Sequence, residues 1–225
     1  MRTDKDKPFV DGQEINSELD KVQLQFSKKA VDDLTTYINL VLKWNMHMNL
    51  VGSRHWKKIL HELIADSFYL GNYLSSLNIQ PDDLILDIGA GAGIPGIPLR
   101  IIWHAGQYLM IEPNQKRFVF LRVVLSQLQL NQTSILPQSL EQLNQEQFTA
   151  RIILSRGFLN WKELLKAVHA LIHPQGQAVI FSNHNWDHTK NICPASWSFI
   201  DQKEYILYPD LKRYFWFFSP RNEPS

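Results

Sequence analysis

Apolar residues recur at spacings of three and four through Leu19, Val22, Phe26, Ala30, Leu34, Ile38 and Leu42. That period predicts amphipathic helix up to Trp44, with a break near Ser27 and Ser17 as a plausible N-cap. Residues 45–54 form a polar and aromatic link, and a second helical pattern follows in Ile59, Leu63, Phe68, Leu70 and Leu74. It stops before Asn78 and Pro81, where the character changes. Short apolar runs then alternate with helical segments. Strands are expected at 84–86, 108–111, 134–136, 151–154 and 178–181, and helices at 96–103, 115–130, 140–144 and 161–173. Such alternation implies parallel strands joined by crossover helices, hence an α/β fold with a doubly wound, Rossmann-like sheet. Residues 199–208 and 214–218 read as two strands without an intervening helix, an antiparallel hairpin at the sheet edge. The expected division is a flexible leader (1–16), an N-terminal helical extension (17–80) and the sheet domain (81–220). The last five residues, 221–225, look frayed.

Composition narrows the class. Of 225 residues, 44% are hydrophobic and 20% charged, and 23 Lys and Arg against 22 Asp and Glu leave a formal net charge of +1. A disordered chain would be poorer in apolar residues. A protein holding nucleic acid by bulk charge would be far more basic, so any such role needs a local basic surface. The single cysteine, Cys193, cannot close an intrachain disulfide. No run approaches the roughly 20 apolar residues of a membrane span, and the mixed-charge start is no signal peptide. A cytoplasmic protein without membrane or metal partners is expected, and a monomer.

The chemistry concentrates in Asp87-Ile88-Gly89-Ala90-Gly91-Ala92-Gly93-Ile94-Pro95-Gly96, which follows the first strand and opens a helix. Glycines there let a ligand lie against the backbone. In an open α/β sheet, ligands bind beyond the carboxyl ends of the strands. Read from Gly91, the spacing G-x-G-x-x-G suits a dinucleotide. Read from Gly89, it is the Asp-x-Gly-x-Gly-x-Gly pattern of S-adenosylmethionine-dependent methyltransferases. Asp87 favours the second register, since a carboxylate there would repel a pyrophosphate. Glu112 ends the second strand about two dozen residues beyond Gly89, a place where an acid accepts from ribose hydroxyls in either cofactor class.

These residues resemble one family closely, the bacterial small-subunit ribosomal RNA methyltransferase G, or glucose-inhibited division protein B. Beside the glycine turn and its Ile-Pro-Gly-Ile-Pro continuation, the resemblance rests on Trp44-Asn45, Asn49-Leu50 and the run His61 to Ser67. Lys116 to Arg122 and Ser155-Arg156-Gly157-Phe158 complete it. It implies a methyltransferase acting on guanine N7 of 16S ribosomal RNA in the small subunit, with S-adenosyl-L-methionine as cofactor. It further implies that Asp87, Gly89, Ala90, Gly91, Gly93 and Ile94 surround the cofactor and Glu112 holds its ribose. Ser139, Leu140 and Glu141 would flank the adenine, and Arg156 would stand between cofactor and substrate as the catalytic residue. Two departures stand out. The family's Ala-Leu-Lys-Gly at the end of the fifth strand is replaced around Phe181-Ser182-Asn183, so its lysine is missing. The closing Gly-Glu-Arg-His is reduced to Leu211-Lys212-Arg213-Tyr214, with Arg213 kept.

Guanine N7 carries a lone pair and no proton, so its methylation needs no general base, and no Ser-His-Asp set is evident. Candidate RNA contacts are Arg54, Lys116, Arg117, Arg122 and Arg213, with Lys57, Lys58 and Lys212 beside them. Each cluster equally fits an ordinary solvated face. Trp44, Trp56 and Trp161 could stack bases, though core packing suits Trp44 and Trp161 better. Cys193 reads as inert, and His184 and His188 lack a third ligand for a metal. A nicotinamide-dependent oxidoreductase and a non-catalytic RNA-binding relative remain the alternatives.

Overall fold

The computed structural model describes residues 9–144 and 147–221. Helix α1 (Gly12–Lys21) begins inside the segment read as a leader. Asp11, not Ser17, is its N-cap, and Asp11 and Glu14 form a reciprocal capping box. Burial of Val10, Ile15 and Leu19 explains why these residues fold. The remainder of the expected leader, residues 1–8, lies outside the described residues, as do 222–225 of the tail. Ser27 accepts from the Ala30 N–H and caps α2 (Lys28–Asn45), which accounts for the break in the apolar pattern. Next, α3 (Trp56–Ile59) runs through one π-helical turn (Leu60–Ile64) into α4 (Ala65–Leu74).

The sheet alternates β1 (Leu84–Ile88), α5 (Gly96–Ile102), β2 (Gln107–Ile111), α6 (Gln115–Leu128), β3 (Thr133–Leu136), β4 (Ala150–Ser155), α7 (Trp161–Val168) and β5 (Ile172–Ser182). The hairpin β6 (Trp197–Leu207) and β7 (Leu211–Pro220) follows, and the strand order is β3-β2-β1-β4-β5-β7-β6. β1 to β5 are parallel, and β7 is antiparallel to both neighbours. The order turns between β1 and β4, so a crevice opens there at the strands' carboxyl ends. Three expected elements differ. The helix expected at 161–173 ends at Val168 and passes through a 3-10 turn (His169–Leu171) into the next strand. The helix at 140–144 is a single 3-10 turn (Leu140–Gln142). β5 starts at Ile172, because the register with β4 slips through Pro174 and Gly176, and those turn-like residues hid the strand.

Alternation along the strands divides the core. Ile85, Met110, Leu154, Val179 and Phe217 face α2, α4, α5 and α6, so the helical extension shares one apolar core with the sheet. Leu86, Ile111, Ile153, Ala178 and Trp216 face α7 on the other side. No helix among the described residues is long and apolar enough to cross a membrane.

Arg100 lies in the last turn of α5 and is 1% exposed. Its guanidinium donates to the carbonyls of Ala105 at 2.8 Å and Asn131 at 3.0 Å, and to Thr133 Oγ1 at 3.2 Å. Arg100→Ala would strand these acceptors. The expected loss is about 2–3 kcal/mol in urea unfolding; a loss below about 0.5 kcal/mol would show that these bonds contribute little.

Candidate active site

The turn after β1 is built almost wholly from backbone. Gly89 and Ala90 donate to Ile111 O at 3.0 and 3.1 Å, and Gly93 donates to Ala90 O at 2.7 Å. Gly89, Gly91 and Gly93 all have positive φ (72°, 61° and 83°), where a side chain is strained. Their surroundings differ. A Cβ on Gly93 would strike Ile97 and Leu121, whereas one on Gly91 would meet only Gly89 O at 3.8 Å. Gly91 therefore faces open space and Gly93 faces packing. From the extension, Tyr37 donates its hydroxyl to Ala92 O at 2.7 Å.

Asp87 lies behind the turn. It is 1% exposed and accepts from the Tyr108 hydroxyl at 3.0 Å and from the Gly96 N–H. Burial pushes its carboxyl up to about 7, against those two donors and with help from the Glu112 carboxylate. The expectation that Asp87 contacts a cofactor is corrected: its oxygens point at the scaffold that holds the turn. Glu112 is also buried, yet it lines the cavity. One oxygen accepts from Gly91 N–H at 2.7 Å and the other from Asn114 N–H at 2.8 Å.

A cavity of about 520 Å³ lies against this turn. Gly89, Ala90, Gly91, Ile94, Glu112, Arg117 and Arg156 line it, together with Phe158. Its opposite wall is Leu50 to Gly52, with Leu63. Buried Asn45 sets that wall. Its carbonyl oxygen accepts from the N–H groups of Leu50 and Val51, and its amide donates to Val51 O and Ser53 O. These four bonds match the usual capacity of an asparagine amide.

A second cavity of about 850 Å³ opens past Arg156, across the ends of β4 and β5. Asp66, Trp161, Ser182, Asn183, Tyr205 and Arg213 are among its walls, and Lys190 is at its rim. Arg156 and Gly157 belong to both cavities.

The model of the family described as rRNA small subunit methyltransferase G matches residues 30–202. The chain belongs to that family. The methyltransferase G of Nitratidesulfovibrio vulgaris is 36% identical over 199 residues, covering 88% of this chain and 89% of that one. That of Lawsonia intracellularis is 41% identical over 175 residues, covering 76% and 80%. Solved structures extend the likeness to the fold alone. The yhhF protein of Escherichia coli aligns with TM-score 0.53 at 17% identity over 70% of this chain and 86% of that one. The 23S rRNA methyltransferase ErmE aligns with TM-score 0.50 at 12% identity over 72% and 71%.

Within this family member the expected site residues separate. Gly93 shapes the turn without reaching the cavity. Ser139, Leu140 and Glu141 do not line it either: Ser139 caps the 3-10 turn and Leu140 is buried in the core facing α7. Among the basic candidates, Arg117 lines the first cavity and Arg213 the second, while Arg54, Lys116 and Arg122 are exposed outside both. Trp56 is 5% exposed and offers no stacking face. Cys193 is half-buried, and burial pushes its thiol up. No group of three metal-ligating side chains occurs among the described residues. The sequence reading missed the wall at 50–52, Phe158, and the buried pair Asp66 and Tyr205. The runs Asn49-Leu50, His61 to Ser67 and Ser155 to Phe158 carried the resemblance without a stated role for these residues, and Tyr205 lay in none of them.

Proposed function

We propose that this chain transfers a methyl group from S-adenosylmethionine to guanine N7 in the 16S RNA of the small ribosomal subunit. The observation that carries this is the cavity at the strand-order switch, where Gly91 opens onto free space beside the buried Glu112 carboxylate. A nucleoside with a charged amino-acid tail suits such a cradle. The Gly89 to Gly91 backbone gives close approach, the Glu112 oxygens accept from hydroxyls, and Arg117 favours a carboxylate. The dinucleotide register fits less well. Gly96 N–H is taken by Asp87, and the next donor, Ile97 N–H, by Gly93 O at 2.7 Å, which leaves a pyrophosphate few donors at the start of α5.

When bound, the cofactor supplies a methyl carbon on a sulfonium: the N7 lone pair forms the new N–C bond, the S–C electron pair returns to sulfur, and the positive charge passes to the purine. The protein need move no proton. Its task is placement of N7 in line and about 3 Å away. Arg213 gives the second cavity a cation beyond the Arg156–Asp66 and Lys190–Asp187 ion pairs on its walls, and Trp161 adds an aromatic wall for an RNA substrate. Ser182, near which the family's fifth-strand lysine is missing, lines the same cavity.

The test has two stages. Calorimetry should show S-adenosylhomocysteine binding more tightly than NAD. Small subunits from a strain lacking the family enzyme should then yield labelled 7-methylguanosine after nuclease digestion. Stronger binding of NAD would overturn the cofactor reading. Tight RNA and cofactor binding without turnover would leave a non-catalytic relative.

A further inference from the structure

Arg156 is anchored from outside its own strand. It follows β4, and its Nε donates to Asp66 Oδ2 at 2.9 Å while Nη2 donates to Glu62 O at 3.3 Å. The other Asp66 oxygen accepts from the Tyr205 hydroxyl at 2.9 Å. The Asp66 side chain is 2% exposed and that of Arg156 25%. Tyr205 is itself stacked on Phe215, with ring centroids 4.3 Å apart. Thus α4, the π-helical turn and β6 converge on one guanidinium. Two of its three nitrogens are committed, and Nη1 makes no hydrogen bond among the described residues. That nitrogen belongs to a residue shared by both cavities.

We infer that Asp66 and Tyr205 are positioning residues that hold Arg156 as a fixed donor for O6 of the target guanine, selecting guanine over adenine. The inference rests on the methyltransferase reading above. Guanine presents N7 and O6, both acceptors, on one edge; adenine presents N7 beside an N6 amino donor. A purine lying in the second cavity with N7 turned toward the first would bring its neighbouring exocyclic group to Arg156. A fixed N–H donor there meets an acceptor in guanine and another donor in adenine. A free arginine would have to be immobilised on binding, whereas this one is ordered by the fold. The Asp66 carboxylate has a second consequence. N7 methylation makes the purine cationic, and the Arg156–Asp66 pair offers a donor without a net positive charge beside it.

The test uses the full chain and small subunits. Asp66→Asn and Arg156→Lys should each lower kcat on the order of 10²-fold. Tyr205→Phe, which removes one hydroxyl and no charge, should lower it roughly 5-fold. KM for subunits and the Kd for S-adenosylhomocysteine should stay within about threefold, a split that a general loosening of the fold would not give. For specificity, subunits carrying adenine at the mapped position are compared with the natural ones. The paired change Asp66→Asn with Arg156→Gln leaves no buried charge behind, and it should narrow the guanine preference at least about tenfold. Full turnover by Arg156→Lys or by Tyr205→Phe, or an unchanged base preference in the paired variant, overturns the inference. An active wild type with unaffected variants defeats only this proposal; a wild type that methylates nothing defeats the methyltransferase reading with it.

Discussion

Gly91→Val is expected to weaken S-adenosylhomocysteine binding by roughly 10³-fold, about 4 kcal/mol, while the protein stays folded. The reason is the contrast inside one turn. Most Cβ atoms added along it would strike the scaffold, but at Gly91 the new side chain projects into the cavity, with Gly89 O the nearest atom at 3.8 Å. The residue sits at φ 61°, so the fold loses only the cost of left-handed backbone, about 1–2 kcal/mol. Gly91→Ala separates the two effects. It carries the same kind of backbone strain with a smaller intrusion, so its affinity should fall between wild type and valine. Calorimetry gives the affinities and urea unfolding the stabilities. A valine variant binding within tenfold of wild type would place the ligand elsewhere.

The Asp87 carboxyl should make stability fall as pH rises from about 4 to 7. Its folded value of about 7 stands above the ordinary 3.8, so the folded chain holds a proton in that window that the unfolded chain has lost. Unfolding then releases that proton, and stability drops about 1.4 kcal/mol per unit of rising pH. The total is on the order of 4 kcal/mol, with no further change from this group above pH 7. Asp87→Asn should remove that slope, since the amide keeps an acceptor toward Gly96 and the Tyr108 hydroxyl can reorient. Other groups are separable. Burial also raises Asp66, so the difference between wild type and Asp87→Asn, not the wild-type slope, reports Asp87. Burial pushes Glu18 up too, but Lys21, His61 and Lys57 outweigh it and bring it down to about 2. Its stabilising contribution is complete well above its ordinary value of 4.5 and is lost as pH falls from there toward about 2, so it overlaps only the lower edge of the window and acts with the opposite sign. Urea unfolding between pH 4.5 and 8 reads both variants; parallel slopes would refute the assignment.

What could be read from the sequence follows the range of the physics. The glycine turn, its strand and Glu112 are local, so spacing alone placed them at one end of a parallel sheet. Asp87 was placed in the right turn and given the wrong direction, because linear order does not say which face of the turn a carboxylate takes. The helix expected at 140–144 is one 3-10 turn for a similar reason: tertiary packing, not the local pattern, puts Leu140 into the core. The first half of α1 was missed because its apolar contact depends on α2, although the capping pair Asp11 and Glu14 was visible. Least legible was the Asp66–Arg156–Tyr205 set, whose members come from three elements and meet only in the folded chain. Periodicity reports which face of an element is buried, not which distant polar group awaits it there.

That set joins residues 139 positions apart, Asp66 and Tyr205, and Tyr69 likewise donates its hydroxyl to Ile206 O. β7 follows β6 in the chain yet lies inside it, between β5 and β6. The glycine turn can therefore form from residues 84–112 and the extension, but Arg156 gains its full anchor only after both hairpin strands have docked. Contacts of such separation form late and slowly. In a chain lacking the hairpin Arg156 would lose the Tyr205 end of its anchor, so the placement of this arginine depends on the last strands of the chain as much as on the helical extension.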